Sequence, residues 1–339
     1  MGTTTTKPRL RTEVPKMSGE QFAGQATEPR NGIPTMTTAL PDHGARDASI
    51  SINSYTTVLG RLAVPEESFR AYWRDAHGPL CSRVPGLGWY VQHHFSRRQD
   101  AHLWEGPENV GALPGYELDG AVEIGWTSQE TQAVFQDAAS ILFSDEQNVF
   151  EETAAYALPS GSTTVFDRQT DATPNAQDPL DRLHVQFSPR EGQAGALEEY
   201  LRNEFAAVAG ASDDVVKVRI HAPEAHDNST PNPPAPNVEH TVADERVSLV
   251  ILEIAFTDPL ARRRFFASAA YQSVLGRQEE LAAFITAFPV SGVFTFVRDE
   301  QLTAAGLRGS RVAELITSMA ASNQVEDSVW KLMHTGRIG

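Results

Sequence analysis

Three observations predict an α+β fold in which one β-α-β-β-α-β unit occurs twice in tandem. The order of strand-like and helix-like segments repeats, the two copies match residue by residue at a nearly constant offset, and 339 residues leave room for two cores. Apolar residues make up 40% and charged residues 21%, a balance suited to a globular chain.

Residues 1–48 hold Pro, Gly, Thr and scattered charge without a sustained apolar period, and are expected to form a disordered or extended tail. The first repeat, 49–170, opens with a strand over Asn53–Leu62 and a helix over Pro65–Ser82, with Pro65 near its first turn. Leu87–Phe95 and Ala121–Thr127 read as strands, separated by a Gly- and Pro-rich excursion from Arg97 to Leu118. Ser128 is placed to cap a helix running to Ala139, and Ser162–Phe166 reads as the fourth strand. The second repeat, 171–300, gives a strand at Arg182–Phe187, a helix at Gly192–Ala209 and a strand at Asp214–His221. A proline-rich loop to Asp244, a strand at Arg246–Phe256, a helical region at Asp258–Ala287 and a strand at Gly292–Val297 follow. Residues 301–339 are expected to form an extra C-terminal helix and tail, with Val312, Leu315, Ile316 and Met319 as its apolar stripe.

The duplication is explicit. An offset of 128 carries Phe69 onto Leu197, Tyr72 onto Tyr200, Trp73 onto Leu201, Arg74 onto Arg202 and His93 onto His221. An offset of 130 carries Glu123-Ile124 onto Glu253-Ile254, Phe135 onto Phe265, Pro159 onto Pro289 and Phe166 onto Phe296. Each ferredoxin-like unit forms a four-stranded antiparallel sheet with helices on one face. Packing the two bare faces against each other makes an intrachain α/β barrel, with a cavity expected between the sheets.

Lys and Arg total 28 against 44 Asp and Glu, a net charge of −16 that disfavours nucleic acid and anionic membrane as partners. The single cysteine, Cys81, rules out a disulfide framework and Cys-rich metal centres, and reads as a small packed residue. No run approaches the length of a membrane span and no secretory leader is visible, so a cytoplasmic location is expected. The Met-Gly-Thr-Thr-Thr-Thr start matches only a loose myristoylation pattern. Gly-x-Gly-x-x-Gly, P-loop, His-Glu-x-x-His and Gly-x-Ser-x-Gly patterns are absent, so neither a cofactor nor a metal is expected.

Phe69, Trp73 and His77 fall at i, i+4 and i+8 and share one helix face. Gly78-Pro79 is expected to disturb the helix there, leaving His77 near a helix end whose carbonyls favour a protonated imidazole. The second repeat has Phe205 at this place, which argues that His77 points inward. An imidazole titrating near ~6.5 suits a general acid or base; a core histidine bonded to a carbonyl is the structural alternative. On the second strand Trp89, Val91, His93 and Phe95 form one face and Tyr90, Gln92 and His94 the other, so one of the adjacent histidines lines the cavity. The match of His93 with His221 favours a shared structural hydrogen bond. His102-Leu103-Trp104 is expected to fold over the cavity as a lid, and Trp73, Trp104 and Trp126 suit an aromatic ligand.

Tyr72-Trp73-Arg74-Asp75-x-His77-x-Pro79-Leu80, followed by Pro85-Gly86-Leu87 and Tyr90, resembles the signature of the EthD-like family of the dimeric α/β-barrel superfamily. The resemblance covers about twenty residues of the first repeat. It implies a small-molecule enzyme, and with His77 the leading expectation is a cofactor-independent one acting by acid–base chemistry on a small hydrophobic, aromatic or polyketide-like molecule. The expected reaction is of lyase, dehydratase or cyclase type, and the resemblance implies a catabolic or natural-product pathway. The family histidine carries over to His77 and its acidic neighbour to Asp75. Asp75 or Tyr72 would orient His77, and His94 or His93 would assist. From the helix and strand faces and the loop, Trp73, Trp89, Tyr90, Gln92, His93 and Trp104 are the expected substrate contacts. Asn203 and Phe205 stand at the Asp75 and His77 places in the second repeat, which implies one working site and one degenerate half. The superfamily also hosts monooxygenases and haem enzymes, the alternative reading; a non-catalytic binding protein is the third. Because one chain supplies both halves, a monomer or a homodimer is expected.

Overall fold

The computed structural model describes residues 41–97, 103–229 and 235–337. Residues 1–40, which make up most of the expected tail, lie outside the described residues, as does His102. The first repeat comprises β1 (Ile52–Gly60), α1 (Glu66–Tyr72), a π-helical segment (Trp73–His77) and α2 (Gly78–Ser82). It continues with β2 (Trp89–Phe95), β3 (Gly120–Trp126), α3 (Gln129–Ala138), α4 (Ser140–Val149), β4 (Phe150–Leu158) and β5 (Thr163–Asp167). After β6 (Asn175–Gln177), the second repeat runs β7 (Asp181–Pro189), α5 (Ala194–Tyr200), a π-helical segment (Leu201–Phe205), α6 (Ala206–Gly210) and β8 (Val215–His221). It ends with α7 (Asp244–Val247), β9 (Val250–Phe256), α8 (Pro259–Ala267), α9 (Ala269–Leu281) and β10 (Ala282–Arg298). β11 (Gln301–Leu302), α10 (Ala304–Arg308), α11 (Ser310–Ser318) and α12 (Asp327–Thr335) follow.

The strands order as β4-β1-β3-β2-β10-β7-β9-β8-β5, with all ladders antiparallel, β6 and β11 adding to β10. Each half keeps the same internal order, fourth-first-third-second, which is the ferredoxin-like arrangement. β10 joins the halves: Ala282–Pro289 pairs with β7, then Val290–Val297 pairs with β2. In the first repeat the same path is split into β4 on β1 and β5 on β8. The turn between them depends on Gly161, whose φ of +72° and N–H bond to Leu158 O at 2.9 Å make it a reversal. Because the sheet begins on β4 and ends on β5, that turn closes an intrachain α/β barrel.

The two π-helical segments lie at the same offset of 128, so the widened turn itself is duplicated. The helix therefore does not end at His77. Gly78 N–H reaches back to Trp73 O, and Pro79 falls in the first turn of α2, where its missing N–H is tolerated. A Cβ on Gly78 would lie 2.5 Å from the Phe296 ring, so glycine lets this helix close onto β10.

Other expectations shift. The fourth strand of the first repeat is β4, with Ser162–Phe166 forming its split continuation; α4 and β4 carry acidic residues that weaken their apolar pattern. The helical region expected to reach Ala287 ends at Leu281, because Ala282–Ala287 supply the β7 ladder. Tyr55 and His184 stand opposite Glu123 and Glu253, while Tyr156 and Phe288 stand opposite Tyr55 and His184. This places β10 132 residues after β4, so Pro289 corresponds to Ala157 and the Pro159–Pro289 match is not a structural equivalence. Residues 41–48 are built into the fold: buried Asp47 binds Thr164, Arg219 and Arg298. Among the described residues the expected single C-terminal helix is three, and Val312, Leu315 and Met319 remain exposed. No helix among the described residues is long and apolar enough to cross a membrane.

The long loops are exchanged between repeats. Gly111 O and Leu113 N–H bond to Ile285 and Thr286 on β10. In return, Glu224, His226 and His240 bond to Ala157, Ala155 and Thr153 on β4.

Candidate functional site

His77 closes the first π segment and is 7% exposed. Its Nδ1 lies 2.9 Å from Asp145 Oδ2 on α4, and the Tyr72 hydroxyl donates to Asp145 Oδ1 at 2.6 Å. The His77 hydrogen bond is the main cause holding the Asp145 carboxyl below its ordinary range. Asp145, not Asp75, is thus the acid that orients His77. Asp75 pairs with Arg74 at 2.6 Å and accepts from the Arg311 backbone N–H at 2.9 Å, at the start of α11.

Trp73 is fully buried, with its ring stacked 4.1 Å from that of His94 and 5.6 Å from that of Phe69. Tyr90, Gln92 and His94 share this helix-facing side. The Gln92 amide donates to Trp73 O and to the Tyr90 hydroxyl, and its Oε1 lies 3.0 Å from His94 Nε2. Burial, aided by Arg70 and Arg74, depresses the His94 pKa and keeps the ring neutral. The trio is a packed helix–sheet contact. His93 faces the barrel, and Trp89 lies at its mouth beneath the Arg298 and Arg219 guanidiniums. Trp104 is not a lid: it is buried in the second repeat's core against Phe187 and Phe266, and its Nε1 donates to Gln278 at 3.0 Å. The predicted residues are distributed over the α1–α4 contact, the β2 packing face, the barrel and the opposite core.

Beside the His77–Asp145 contact, α3 and α4 cover β1, β3 and β4 incompletely. The opening is a cleft of about 440 Å³ walled by Ile124, Trp126, Phe135, Leu142 and Phe143. Glu146 is its one carboxylate among the described lining residues, and Thr153 Oγ1 donates to Glu146 Oε2 at 3.5 Å. Burial pushes the Glu146 carboxyl up to about 7, with the Thr153 bond opposing and the Asp145 charge reinforcing the rise. Two consecutive carboxyls on α4 are therefore displaced in opposite directions, one kept ionised by a histidine and one poised near neutrality. In the second repeat the corresponding helix layer is filled by Phe265, Tyr271 and the inserted Trp104.

The barrel interior gathers Tyr55, His93 and Glu123 from the first repeat and His184, His221 and Glu253 from the second, all nearly inaccessible. Glu123 Oε2 accepts from Arg219 Nε at 3.0 Å and Nη2 at 2.9 Å, while its Oε1 lies 3.5 Å from His93 Nε2 and 3.8 Å from His221 Nε2. Glu253 pairs with Arg182 and, at 2.9 Å, with Lys217 Nζ. These cations hold both carboxylates well below their ordinary range against the cost of burial. Tyr55 Oη is 2.8 Å from His184 Nδ1, and Ser162 Oγ is 2.8 Å from His221 Nδ1. Burial depresses both imidazoles, His221 to about 4. Both His93 nitrogens and the Nε2 atoms of His184 and His221 lack hydrogen-bond partners. The cavity reaching His93 and Glu253 from Ala172 and Pro174 measures about 30 Å³, room for a water and not for an organic molecule. Among the described residues, this part of the interior is filled by side chains and leaves no room for the expected substrate.

Sequence reasoning missed Asp145, Glu146, Glu123, His184 and Glu253. A signal for Glu123 and Glu253 was present: a glutamate repeated within an otherwise apolar strand marks a buried charge whose partners lie elsewhere in the chain.

No protein-family model matches the chain, and no curated protein sequence matches it. Among solved structures it is similar to an anthrone oxidase-like protein, at 9% identity over 78% of this chain and all of that one, with a TM-score of 0.47. A provisionally assigned monooxygenase of Fusobacterium nucleatum shares 6% identity over 75% of this chain and 96% of that one, TM-score 0.46. A dye-decolorizing peroxidase of Bacteroides thetaiotaomicron shares 12% over 75% and 96%, TM-score 0.38. At these values the likenesses carry no inference about activity.

Proposed function

We propose that the chain is a small-molecule enzyme that moves a proton on a largely apolar ligand held in the α3–α4 cleft, with Glu146 as the acid–base group. The observation that carries this is a single carboxyl, held near neutrality, on the wall of a cleft of about 440 Å³ lined by aromatic and aliphatic side chains. A group that is half ionised near pH 7 both accepts and returns a proton without a large energetic penalty in either direction. Trp126 and Phe135, with ring centroids 5.5 Å apart, supply wall surface for a flat ring system. A carbonyl-bearing ring compound with an acidic C–H fits: its body covers the apolar wall while Glu146 takes the proton. Thr153 holds the carboxyl in place.

His77 enters as a positioning residue, fixing α4 through Asp145, and Asp75 and His94 have no part in the step. The EthD-like resemblance belongs to the same proposal, since it too implies an enzyme acting on a small molecule. The product class, whether elimination, cyclisation or oxidation by dioxygen, follows from the carbanion's fate.

The test is hydrogen–deuterium exchange at the acidic carbon of a panel of cyclic diketones and aryl ketones, followed by NMR with oxygen uptake recorded in parallel. The wild type is expected to accelerate exchange with an inflection near pH 7. Glu146→Gln is expected to lose about 10²- to 10⁴-fold, the usual contribution of a positioned acid–base group. Exchange that persists in Glu146→Gln, or no exchange with any panel member, overturns the reading. Oxygen consumption dependent on Glu146 would extend the same proton abstraction to an oxidation.

A further inference from the structure

We propose that the barrel centre binds one first-row divalent metal ion through His93, His184 and Glu253. One donor atom from each residue comes together with all three within 4.8 Å of one another, a spread that a small contraction brings onto a common ion at bond lengths near ~2.0–2.2 Å. Two imidazoles and one carboxylate suit zinc, iron, manganese or cobalt in the divalent state, and leave coordination positions for water. Calcium and magnesium, which take all-oxygen shells, do not suit this set.

Unpaired atoms point to the same ion. His93 is 2% exposed; among the described residues neither of its nitrogens has a partner in hydrogen-bond geometry, and Nε2 has only the 3.5 Å contact to Glu123 Oε1. His184 is fully buried, and its Nε2 is also unpartnered. Leaving such groups unpaired is costly, and a metal bond removes the deficit. The Tyr55 hydroxyl lies 2.8 Å from His184 Nδ1; with Nδ1–H donating to it, the ring's lone pair is on Nε2 and available to the ion. The narrow cavity ending at His93 and Glu253 supplies an entry path and room for one water on the ion. A second trio, Glu123, His221 and Glu253, meets the same distance limit; it shares Glu253, which Arg182 and Lys217 engage in either case, and adds Glu123, which Arg219 already holds through two bonds.

His93 belongs to the first repeat and the other two ligands to the second, so the ion would cross-link the duplicated halves. Lys217 competes with it, because its Nζ lies 2.9 Å from Glu253 Oε2. Its removal should therefore tighten binding, an effect opposite to that of losing a ligand.

The full chain, stripped with a chelator, is titrated with Co(II) and Zn(II). Expected results are uptake of about one ion per chain with a visible Co(II) band, and a raised Tm. Zn(II) should shift the imidazole NMR signals of His93 and His184 while leaving those of His77 and His94 in place. His93→Gln and His184→Gln should weaken binding at least tenfold, Lys217→Met should strengthen it, and Glu146→Gln should not change it. If a histidine variant does not fold, the wild-type imidazole shifts decide. Substoichiometric uptake, shifts at other histidines, or unchanged affinity in the folded histidine variants overturns the proposal and leaves water as the occupant.

Discussion

Tyr55 and His184 occupy the same ladder position in the two repeats and meet across the barrel, with the phenol oxygen 2.8 Å from Nδ1. The contact converts a duplicated position into an asymmetric pair. Tyr55→Phe leaves His184 with both ring nitrogens unpaired, and should lower stability by about 1–3 kcal/mol, the cost of an unsatisfied buried group. Urea denaturation measures it, and a midpoint equal to the wild type's would show that the bond is not needed.

Arg219 holds Glu123 through two bonds in the barrel interior, and neither group can reach bulk water. Arg219→Met strands the carboxylate and should cost about 3–5 kcal/mol, whereas the double variant with Glu123→Gln should recover much of the loss. The pH response has a definite sign. Glu123 and Glu253 titrate below their ordinary 4.5 in the folded chain, so the unfolded chain binds protons first as acid is added. Their contribution is complete above pH 4.5 and is lost as pH falls through the depressed range. Acid unfolding followed by circular dichroism should shift to higher pH in Arg219→Met.

Glu146 acts in the opposite direction. Its folded pKa of about 7 lies above the ordinary 4.5, so the native chain keeps a proton that the unfolded chain releases. Stability should decline as pH rises from about 4.5 to about 7, and Glu146→Gln should abolish that component. Comparing denaturation midpoints of the two proteins across this window isolates it; parallel profiles would place the carboxyl in water.

Much of the fold was legible because burial of one helix face against the sheet imposes a period that survives duplication: Phe69, Trp73 and His77 recur as Leu197, Leu201 and Phe205, down to the widened helical turn. Strand alternation likewise separated His93 from His94. What could not be read was pairing between distant segments. Nothing local distinguishes Asp145 from Asp75 as the partner of His77; the choice depends on α4 lying across the π segment. Glu146 owes its raised pKa to helices that leave a gap over the sheet, a packing property with no sequence period. Trp104 looked like a loop residue available to cover a ligand, yet loop exchange buries it in the other repeat.

The His77–Asp145 contact separates a catalytic histidine from a structural one. As a direct acid or base, His77 could be replaced by Gln with loss of turnover and little change in melting. The geometry argues otherwise, since Asp145 also takes the Tyr72 hydroxyl at 2.6 Å and so ties α1 and the π segment to α4. His77→Gln and Asp145→Asn should each destabilise the chain by about 1.5–3 kcal/mol, the range for hydrogen bonds to charged groups. The double variant should cost less than the sum, because both remove one interaction. The Asp145 carboxyl lies below its ordinary 3.8, so this stabilisation should persist above that pH and fade as acid is added through the lowered value. Additive losses in the double-mutant cycle, or an unchanged Tm in His77→Gln accompanied by lost exchange activity, would return the proton-transfer role to His77 itself.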